Sequence, residues 1–410
     1  MKICSKCGEK FESGKFCKYC GGTLVDEAEE TQELHCSKCG SVLAEGSKFC
    51  PKCGTKVSVT GSDGKISVRD LSKIDMTHLE LYDLQTLVWA EDQEDGRVLF
   101  DFIMENYGME GIIAEEERTH DSDLQCFIGM RYVMSESYKG KETEGGELLK
   151  KSAEQGNMIG QYWLASLYDI GKGGFETNER KAFEWYLKSA EQGYAEAQYE
   201  VGKFYDNGWG ECVEDEGKAF EWYMKAAEKG QAEAANRVGL MYSKWGGEVN
   251  EKKSFEYFLK AAEADDKWGM YNVANRYLKG IGTTVDTKQA ISWYEKSAEK
   301  GNSDAQYKLG DIYENGIGVN EDINRAIEWY KKAAENDNGS ACSQLADLYF
   351  YAKKIKGSPN LAFKYASKSS ELGDVQGMLQ LALFYEHGIG CEKNKALAKS
   401  LYQKVKELEN

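Results

Sequence analysis

Proline and long apolar runs are what this chain most clearly lacks. Only two of its 410 residues are proline, which argues against a proline-rich linker protein. No run of about 18 apolar residues occurs, so no membrane-spanning helix is predicted. The first residues lack the apolar segment of a signal peptide. With 41% hydrophobic and 12% aromatic residues, the chain still has enough apolar side chains for a large core. We therefore expect a folded, cytoplasmic protein.

Positive charge is also scarce over most of the chain. The formal net charge is −17. Residues 1–60 contain nine lysines, no arginine and eight acidic residues, whereas the remainder carries an acidic excess of 18. An acidic body repels nucleic acid and anionic membrane surfaces. It is compatible with a basic protein or peptide partner.

Cysteine, by contrast, is concentrated at one end, with eight of the twelve in the first 53 residues. These eight form four C-x-x-C pairs, and each pair can form a tight turn that directs two sulfurs at one ion. Two such turns complete a tetrahedral site of four sulfurs, which suits Zn²⁺. Because no secretion signal is predicted, a metal is favoured over disulfides. The predicted zinc ligands are Cys4, Cys7, Cys17, Cys20, Cys36, Cys39, Cys50 and Cys53.

The two cysteine segments are too small to fold without help. Segments of about 24 residues cannot bury a core, so a structural ion is expected to stabilise each one. Four thiolate ligands leave no position for a reactive water, so the two zinc ions are predicted to be structural. A redox C-x-x-C pair, another metal, and His35 as a replacement ligand are the alternatives. The segments resemble the short bacterial zinc-ribbon family, whose members bind protein or nucleic acid or only decorate a terminus.

The remainder of the chain is periodic. Strings such as "KAFEWYLKSAEQG", "KAFEWYMKAAEKG" and "AIEWYKKAAEND" recur, and alignment on their shared glutamate gives steps of 35 to 37 residues. A period of this length is typical of stacked helix-pair repeats. The aligned positions are Leu148, Trp185, Trp222, Tyr257, Trp293, Trp329, Tyr365 and Leu401.

Each unit of the period predicts two helices with defined ends. A helix N-cap residue lies seven positions before each aligned site from 185 onward, and a glycine or aspartate that tolerates a left-handed conformation ends the first helix. The second helix ends in a tyrosine, preceded by glycine or alanine three positions earlier. The predicted N-caps are Asn178, Asp215, Asn250, Asp286, Asp322, Ser358 and Asn394.

Neither helix of a pair can bury its apolar stripe alone, so neighbouring units are expected to stack. The pattern A-x-x-W-Y-x-K-A-A-E-x-G…L-G-x-x-Y-x-x-G-x-G resembles the Sel1-like repeat family, which is TPR-like. This resemblance implies a mainly α fold, a right-handed α-solenoid, preceded by two small zinc ribbons of the short β-hairpin type. The expected organisation is zinc ribbon 1 (1–24), acidic linker (25–33), zinc ribbon 2 (34–57), linker (58–67), helical N-terminal cap with a degenerate first repeat helix (68–120) and solenoid (121–410).

Catalytic groups are sparse. The four histidines stand at no metal-ligand spacing and near no nucleophile motif, and the glycine-rich strings "GIGTTVD" and "GIGVNED" recur as ordinary repeat junctions. Some secreted Sel1-like proteins bridge helices within each repeat, and a few were described as β-lactamase-like. This chain has no cysteines paired at a fixed place in each repeat, so no enzyme activity is predicted.

The expected function is a non-enzymatic protein–protein interaction scaffold whose concave face binds a partner and whose ribbons are auxiliary modules. Tryptophans either complete the packing between repeats or serve as binding anchors in the groove. A nucleic-acid-associated adaptor that contacts phosphate through ribbon lysines is the alternative, and an enzyme of the β-lactamase-like type is a third. The candidate anchors are Trp185, Trp222, Trp293 and Trp329.

Overall fold

The computed structural model describes residues 2–4, 10–11, 24–26, 108–351 and 356–408. The chain divides into two compact units. One comprises Met1–Gly160 with Lys172–Gly174, and the other comprises Gln161–Gly171 with Phe175–Asn410. Helix α4, Met158–Ile170, contributes to both.

In the first unit, three short strands form an antiparallel sheet. They are β1 (Lys2–Cys4), β2 (Lys10–Phe11) and β3 (Leu24–Asp26). Strand β1 is central, and Lys2 pairs with Phe11 on one side and with Asp26 on the other. Strands were expected in this segment. Val25 and Asp26, the first residues of the predicted acidic linker, belong to β3. The rest of that linker, the second predicted ribbon, the linker 58–67 and residues 68–107 of the predicted cap lie outside the described residues.

The helices of the first unit follow from residue 108. Helix α1 lies where a degenerate first repeat helix is predicted, and α2 and α3 pack against each other. Ser152 on α3 donates to the Ser122 carbonyl of α2 at 2.6 Å. These helices are α1 (Gly108–Thr119), α2 (Ser122–Met134) and α3 (Glu142–Glu154), with a short 3₁₀ turn at Glu136–Tyr138.

The second unit is an array of helix pairs, as the period predicts. Each pair is a first helix followed by a second helix, and a single helix closes the described part of the array. The first helices are α5 (Glu179–Glu191), α7 (Glu216–Glu228), α9 (Glu248–Glu263), α11 (Thr287–Glu299), α13 (Ile323–Glu335) and α15 (Pro359–Glu371). The second helices are α6 (Ala195–Asn207), α8 (Ala232–Trp245), α10 (Lys267–Lys279), α12 (Ser303–Asn315), α14 (Gly339–Tyr351) and α16 (Val375–His387), and the closing helix is α17 (Lys395–Leu408).

The predicted helix starts are confirmed with one exception. Side chains of six predicted caps accept from backbone N–H groups in the first turn of the helix that follows. Asn250 is the exception, because α9 begins two residues earlier, after Gly247. Gly246 and Gly247 both have positive φ and allow a turn too tight for the usual cap. Asn250 instead donates its side-chain amide to the Gly246 carbonyl at 2.9 Å.

The predicted helix stops are confirmed at every position. All seven residues have a left-handed backbone, with φ between 56° and 98°. Two of them, Asp265 and Asp337, are not glycine, and aspartate tolerates this conformation better than most residues do. The stops are Gly156, Gly193, Gly230, Asp265, Gly301, Asp337 and Gly373.

A backbone hydrogen bond fastens most junctions between repeats. The N–H of the N-cap residue donates to the carbonyl of the last tyrosine of the preceding second helix, for example from Asp322 to Tyr313 at 2.8 Å. Six junctions have this bond. At the junction of α8 and α9 the N-cap is Gly247, and no such bond joins it to Tyr242 among the described hydrogen bonds.

The core of the array consists of small residues that face aromatic rings. Tyr223, Tyr294 and Tyr330 on the first helices are fully buried. Gly310 on α12 lies against the ring of Tyr330 so closely that an added Cβ would be 2.5 Å from two ring carbons. Neighbouring helices therefore pack by close approach of backbone to ring. The handedness of the array stays a prediction.

Candidate functional site

A row of tyrosines runs along the second helices of the array. At one equivalent position, Tyr162, Tyr199, Tyr271 and Tyr307 each pack on the buried tyrosine of the next first helix. The ring centroids are 5.5–5.9 Å apart. Such aromatic pairs add to the energy of apolar burial. On α8 the equivalent residue is Asn236, so the row is interrupted there.

A groove of about 640 Å³ lies at this interruption, on α6, α8 and α10. The short Asn236 side chain leaves open the space that a phenol ring fills in the neighbouring repeats. The next first helix, α9, carries Phe258 in place of the usual tyrosine, and its ring lies against Gly239 on α8. The lining includes Tyr199, Asn236, Leu240, Asp266, Trp268 and Asn272.

Two amides occupy the middle of the groove. Asn272 Nδ2 donates to Asn236 Oδ1 at 2.9 Å, and both side chains are half-buried. A side-chain amide has two donor hydrogens and an oxygen with two lone pairs, so this single bond uses only part of the capacity of each residue. The pair has the chemistry to bind a peptide group, which likewise presents one donor and one acceptor.

Apolar side chains are exposed beside the amides. Trp268, in the first turn of α10, is 44% exposed, and Leu240 on α8 is 41% exposed. Trp268 makes an edge contact with the Tyr271 ring at a centroid distance of 6.1 Å. An exposed tryptophan next to a groove is the kind of side chain that dominates protein interfaces.

Carboxylates lie at the N-terminal ends of the same helices. Burial raises the pKa of Asp266 and the pKa of Glu196, and it is the largest cause for both. The nearby charge of Glu233 raises both pKa values further. Hydrogen bonds to the two carboxylates partly offset the increase. Each of the three carboxylates therefore lies within electrostatic range of another. A cation placed among them would relieve this repulsion. The basic side chains in the lining are Arg237, which hydrogen-bonds Tyr199, and Lys267.

A buried arginine supports the groove from behind. Arg276 on α10 is 9% exposed and donates to Ser243 Oγ at 2.6 Å and to Ser254 Oγ at 3.1 Å. Its guanidinium lies 5.4 Å from the centre of the Phe258 ring, and burial lowers its pKa. The equivalent residue in the other six units is apolar. The repeat that forms the groove therefore differs from the others in its interior as well as on its surface.

The family model of the Sel1 repeat matches the chain eight times and covers well over half of it. The chain belongs to the Sel1 repeat family. The matched segments are 125–157, 159–194, 195–231, 232–266, 269–302, 303–338, 339–374 and 375–409. A zinc-ribbon domain model matches residues 35–57, which supports one ribbon where two are predicted.

Solved structures also resemble this Sel1 protein. A Sel1 repeat protein from Oxalobacter formigenes has 27% identity and a TM-score of 0.55, and the match covers 75% of this chain and 90% of that one. The protective antigen c5321 of uropathogenic Escherichia coli strains, described as displaying an SLR fold, has 25% identity and a TM-score of 0.49 over 80% and 79% of the two chains. A comparison with curated proteins gave no match. Sel1 and TPR-like repeat proteins are generally protein-interaction scaffolds.

The four predicted tryptophan anchors lie on the first helices, away from the groove of the Sel1 array. All four are half-buried. Trp293 and Trp329 pack against the core of the array. Each of the four rings has a lysine three residues later over it, with Nζ 3.6–4.2 Å from the ring centre. The binding role of these tryptophans stays a prediction.

The remaining chemistry-bearing residues form no reactive cluster in the described part of the chain. Across residues 108–351 and 356–408, no three histidine, cysteine or acidic side chains are grouped so that they could hold a metal. The eight predicted zinc ligands lie outside the described side chains. In the same helical part, no helix combines the length and the apolar character that crossing a bilayer requires. Four cysteines are free: Cys126, Cys212, Cys342 and Cys391.

The sequence contained a signal for the groove that the prediction missed. Asn236 interrupts a position that is tyrosine in four units, and Trp268 occurs at a position where no other unit has an aromatic residue. An alignment of the repeats that looks for differences at each position identifies both Asn236 and Trp268 as departures from the pattern. The four tryptophans are prominent in the sequence because they recur at one repeat position. The groove depends on residues that occur in only one repeat.

Proposed function

We propose that this Sel1 repeat protein is a non-enzymatic scaffold in the cytoplasm that binds a partner protein through its helical array. The groove at Asn236 is the observation that carries this proposal, because it combines exposed Trp268 and Leu240 with polar groups capable of hydrogen bonding. Surfaces with a few exposed aromatic anchors and a polar surround are typical of protein-binding sites. The membership in a repeat family of scaffolds supports the same function.

The N-terminal segment is proposed to supply an auxiliary binding module. The zinc-ribbon match at residues 35–57 contains Cys36, Cys39, Cys50 and Cys53, and the preceding segment has nearly the same cysteine spacing, with nine residues between its two pairs instead of ten. Two structural zinc ions would hold these ribbons folded. Their lysines give each ribbon a positive charge that differs from the acidic array.

Site-specific photo-crosslinking in the native cells tests the scaffold proposal. A benzophenone amino acid is placed at Leu240 in the groove of the full chain, and in a second variant at Glu221, an exposed position on first helix α7. We expect a discrete crosslinked partner from position 240 and none from position 221. If neither position yields a crosslinked protein, the scaffold proposal is wrong. A partner at position 221 alone would retain the scaffold but place its binding surface elsewhere.

A further inference from the structure

The groove of this array is chemically specific. We propose that it binds an extended partner segment in which lysine or arginine alternates with apolar residues. This inference rests on the proposed scaffold function and names the class of segment that the groove selects. It depends on four features of the groove: its origin, its amides, its apolar rim and its carboxylates.

The groove is present because α8 carries Asn236 where the adjacent second helices carry a tyrosine ring. In the adjacent repeats, Tyr199 and Tyr271 pack on buried tyrosines at 5.7 and 5.9 Å and fill the corresponding space. Asn236 leaves that space open between them. Asn236 is the position where the row is interrupted with a tyrosine on each side, whereas the other two units without this tyrosine, at Ser343 and Leu379, follow the last member of the row.

The amide pair favours a partner with a free backbone. An extended segment leaves its N–H and C=O groups unpaired, whereas a helix satisfies them internally. The Asn236 and Asn272 side chains can exchange hydrogen bonds with one peptide group of such a segment. A helical partner would present only side chains and would leave the buried part of this amide pair without a matching group.

The apolar rim and the carboxylates favour different side chains of the segment. Successive side chains of an extended chain point in opposite directions. One set can pack on Trp268 and Leu240 while the other reaches the carboxylates of Glu233 and Asp266. Glu196 adds to the same negative field, and Lys267 offsets only part of the charge on Asp266, while Arg237 hydrogen-bonds Tyr199. A cationic side chain would therefore relieve the repulsion that remains in the unbound protein.

Fluorescence anisotropy with labelled peptides tests the proposal on the full-length protein. The probe is an acetylated eight-residue peptide in which lysine alternates with leucine, and the matched control peptide alternates glutamate with leucine. We expect the lysine peptide to bind at least about tenfold more tightly than the glutamate peptide. Because the whole body is acidic, this result alone would also arise from non-specific attraction.

Filling the groove separates specific binding from attraction to the acidic body. Asn236→Tyr restores the residue found in the neighbouring repeats, so we expect unchanged or higher stability together with about tenfold weaker binding. Asn315→Tyr makes the same chemical change at an exposed position on α12 outside the groove and should leave the affinity unchanged. Equal affinities in the wild type, Asn236→Tyr and Asn315→Tyr would overturn the proposal.

A second pair of variants tests the apolar rim. Trp268→Ala should weaken lysine-peptide binding about tenfold, whereas Trp209→Ala, at a tryptophan that is 43% exposed just after α6, should not. Asp266→Asn removes the charge but retains a good N-cap residue, and it should reduce the preference for lysine over glutamate. If the lysine peptide fails to bind, or Trp268→Ala binds like the wild type, the groove assignment is wrong. The crosslinking result would then still decide the scaffold proposal by itself.

Discussion

The close approach of Gly310 to Tyr330 permits a test of how the repeats are held together. Replacement of Gly310 with alanine would place a Cβ 2.5 Å from Cδ1 and Cε1 of the buried ring. Ordinary contact requires about 3.4 Å or more, so the ring or the helix must move. The ring is held at its far end as well, because Tyr330 Oη donates to Glu314 Oε2 at 2.8 Å.

The expected cost of Gly310→Ala follows from two opposing contributions. Alanine favours a helix over glycine by about 1 kcal/mol. Overpacking of a well-filled core costs about 1–3 kcal/mol, and displacement of the ring would also weaken a hydrogen bond to a charged group, worth about 1.5–3 kcal/mol. We therefore expect a net destabilisation of about 1–3 kcal/mol. The sign is opposite to that predicted by helix propensity alone.

Urea unfolding followed by circular dichroism measures this effect. The control is Gly217→Ala in the first turn of α7, where the nearest atom to an added Cβ is 3.4 Å away in the Asp215 side chain. This substitution should raise the midpoint, because propensity improves and nothing is displaced. If Gly310→Ala raises the midpoint as much as Gly217→Ala does, the repeats are not held by this contact. Addition of Tyr330→Ala to Gly310→Ala should cost less than the sum of the two single changes.

Two further predictions concern metal and pH. Metal analysis of the full chain should find about two zinc ions, and Cys17→Ser should retain about one; chelation should leave most helical circular dichroism intact, whereas a large loss of helix would show that ribbons and array fold together. Burial, with Asp121 nearby, raises the pKa of Asp123 from 3.8 to about 6, although a hydrogen bond from Asn157 opposes this. The folded state therefore holds the Asp123 proton more tightly than the unfolded state does. As the pH rises from about 4 to about 6, ionisation of this carboxyl lowers the stability of the fold, and above that range the whole loss is present. Asp123 is only half-buried, so the effect is reduced by solvent. In urea unfolding, Asp123→Asn should have a free energy of unfolding about 1 kcal/mol higher than the wild type near pH 7.5 and nearly the same near pH 4. An equal difference at both pH values would contradict this assignment.

Most of the helical array could be predicted from the sequence because each repeat specifies its own ends. Cap residues and left-handed stops act through local backbone geometry, so their positions are fixed by a few neighbouring residues. Asp215 and Gly230, for example, bound α7 as predicted. The predicted N-cap at Asn250 is wrong because Gly246 and Gly247 form a different turn, so that α9 begins after Gly247. The shared spacing of the repeats does not include these two glycines.

The groove was harder to predict because it depends on residues that are distant in sequence. Asn236 has no distinctive meaning until Tyr199 and Tyr271 are known to flank it in space. Arg276 departs visibly from the apolar residues at its position in the other six units, but its burial depends on Ser243 and Ser254 from other helices, which the sequence alone does not bring together. The tryptophans stood out by repetition, yet the lysine above each ring engages it already. Periodicity therefore locates the shared framework, whereas departures from the period locate the candidate site.

The junction between α8 and α9 is held differently from the other junctions of the array. Six junctions have a backbone hydrogen bond from cap to tyrosine. At this one the hydrogen bonds come from side chains, because Ser254 Oγ donates to the Gly239 carbonyl at 2.7 Å and Asn250 donates to the Gly246 carbonyl. In a chain of repeats coupled to their neighbours, a weaker coupling separates blocks that unfold in their own steps. A ligand that touches both α8 and α10 would span this junction and couple the unfolding of the two blocks more tightly.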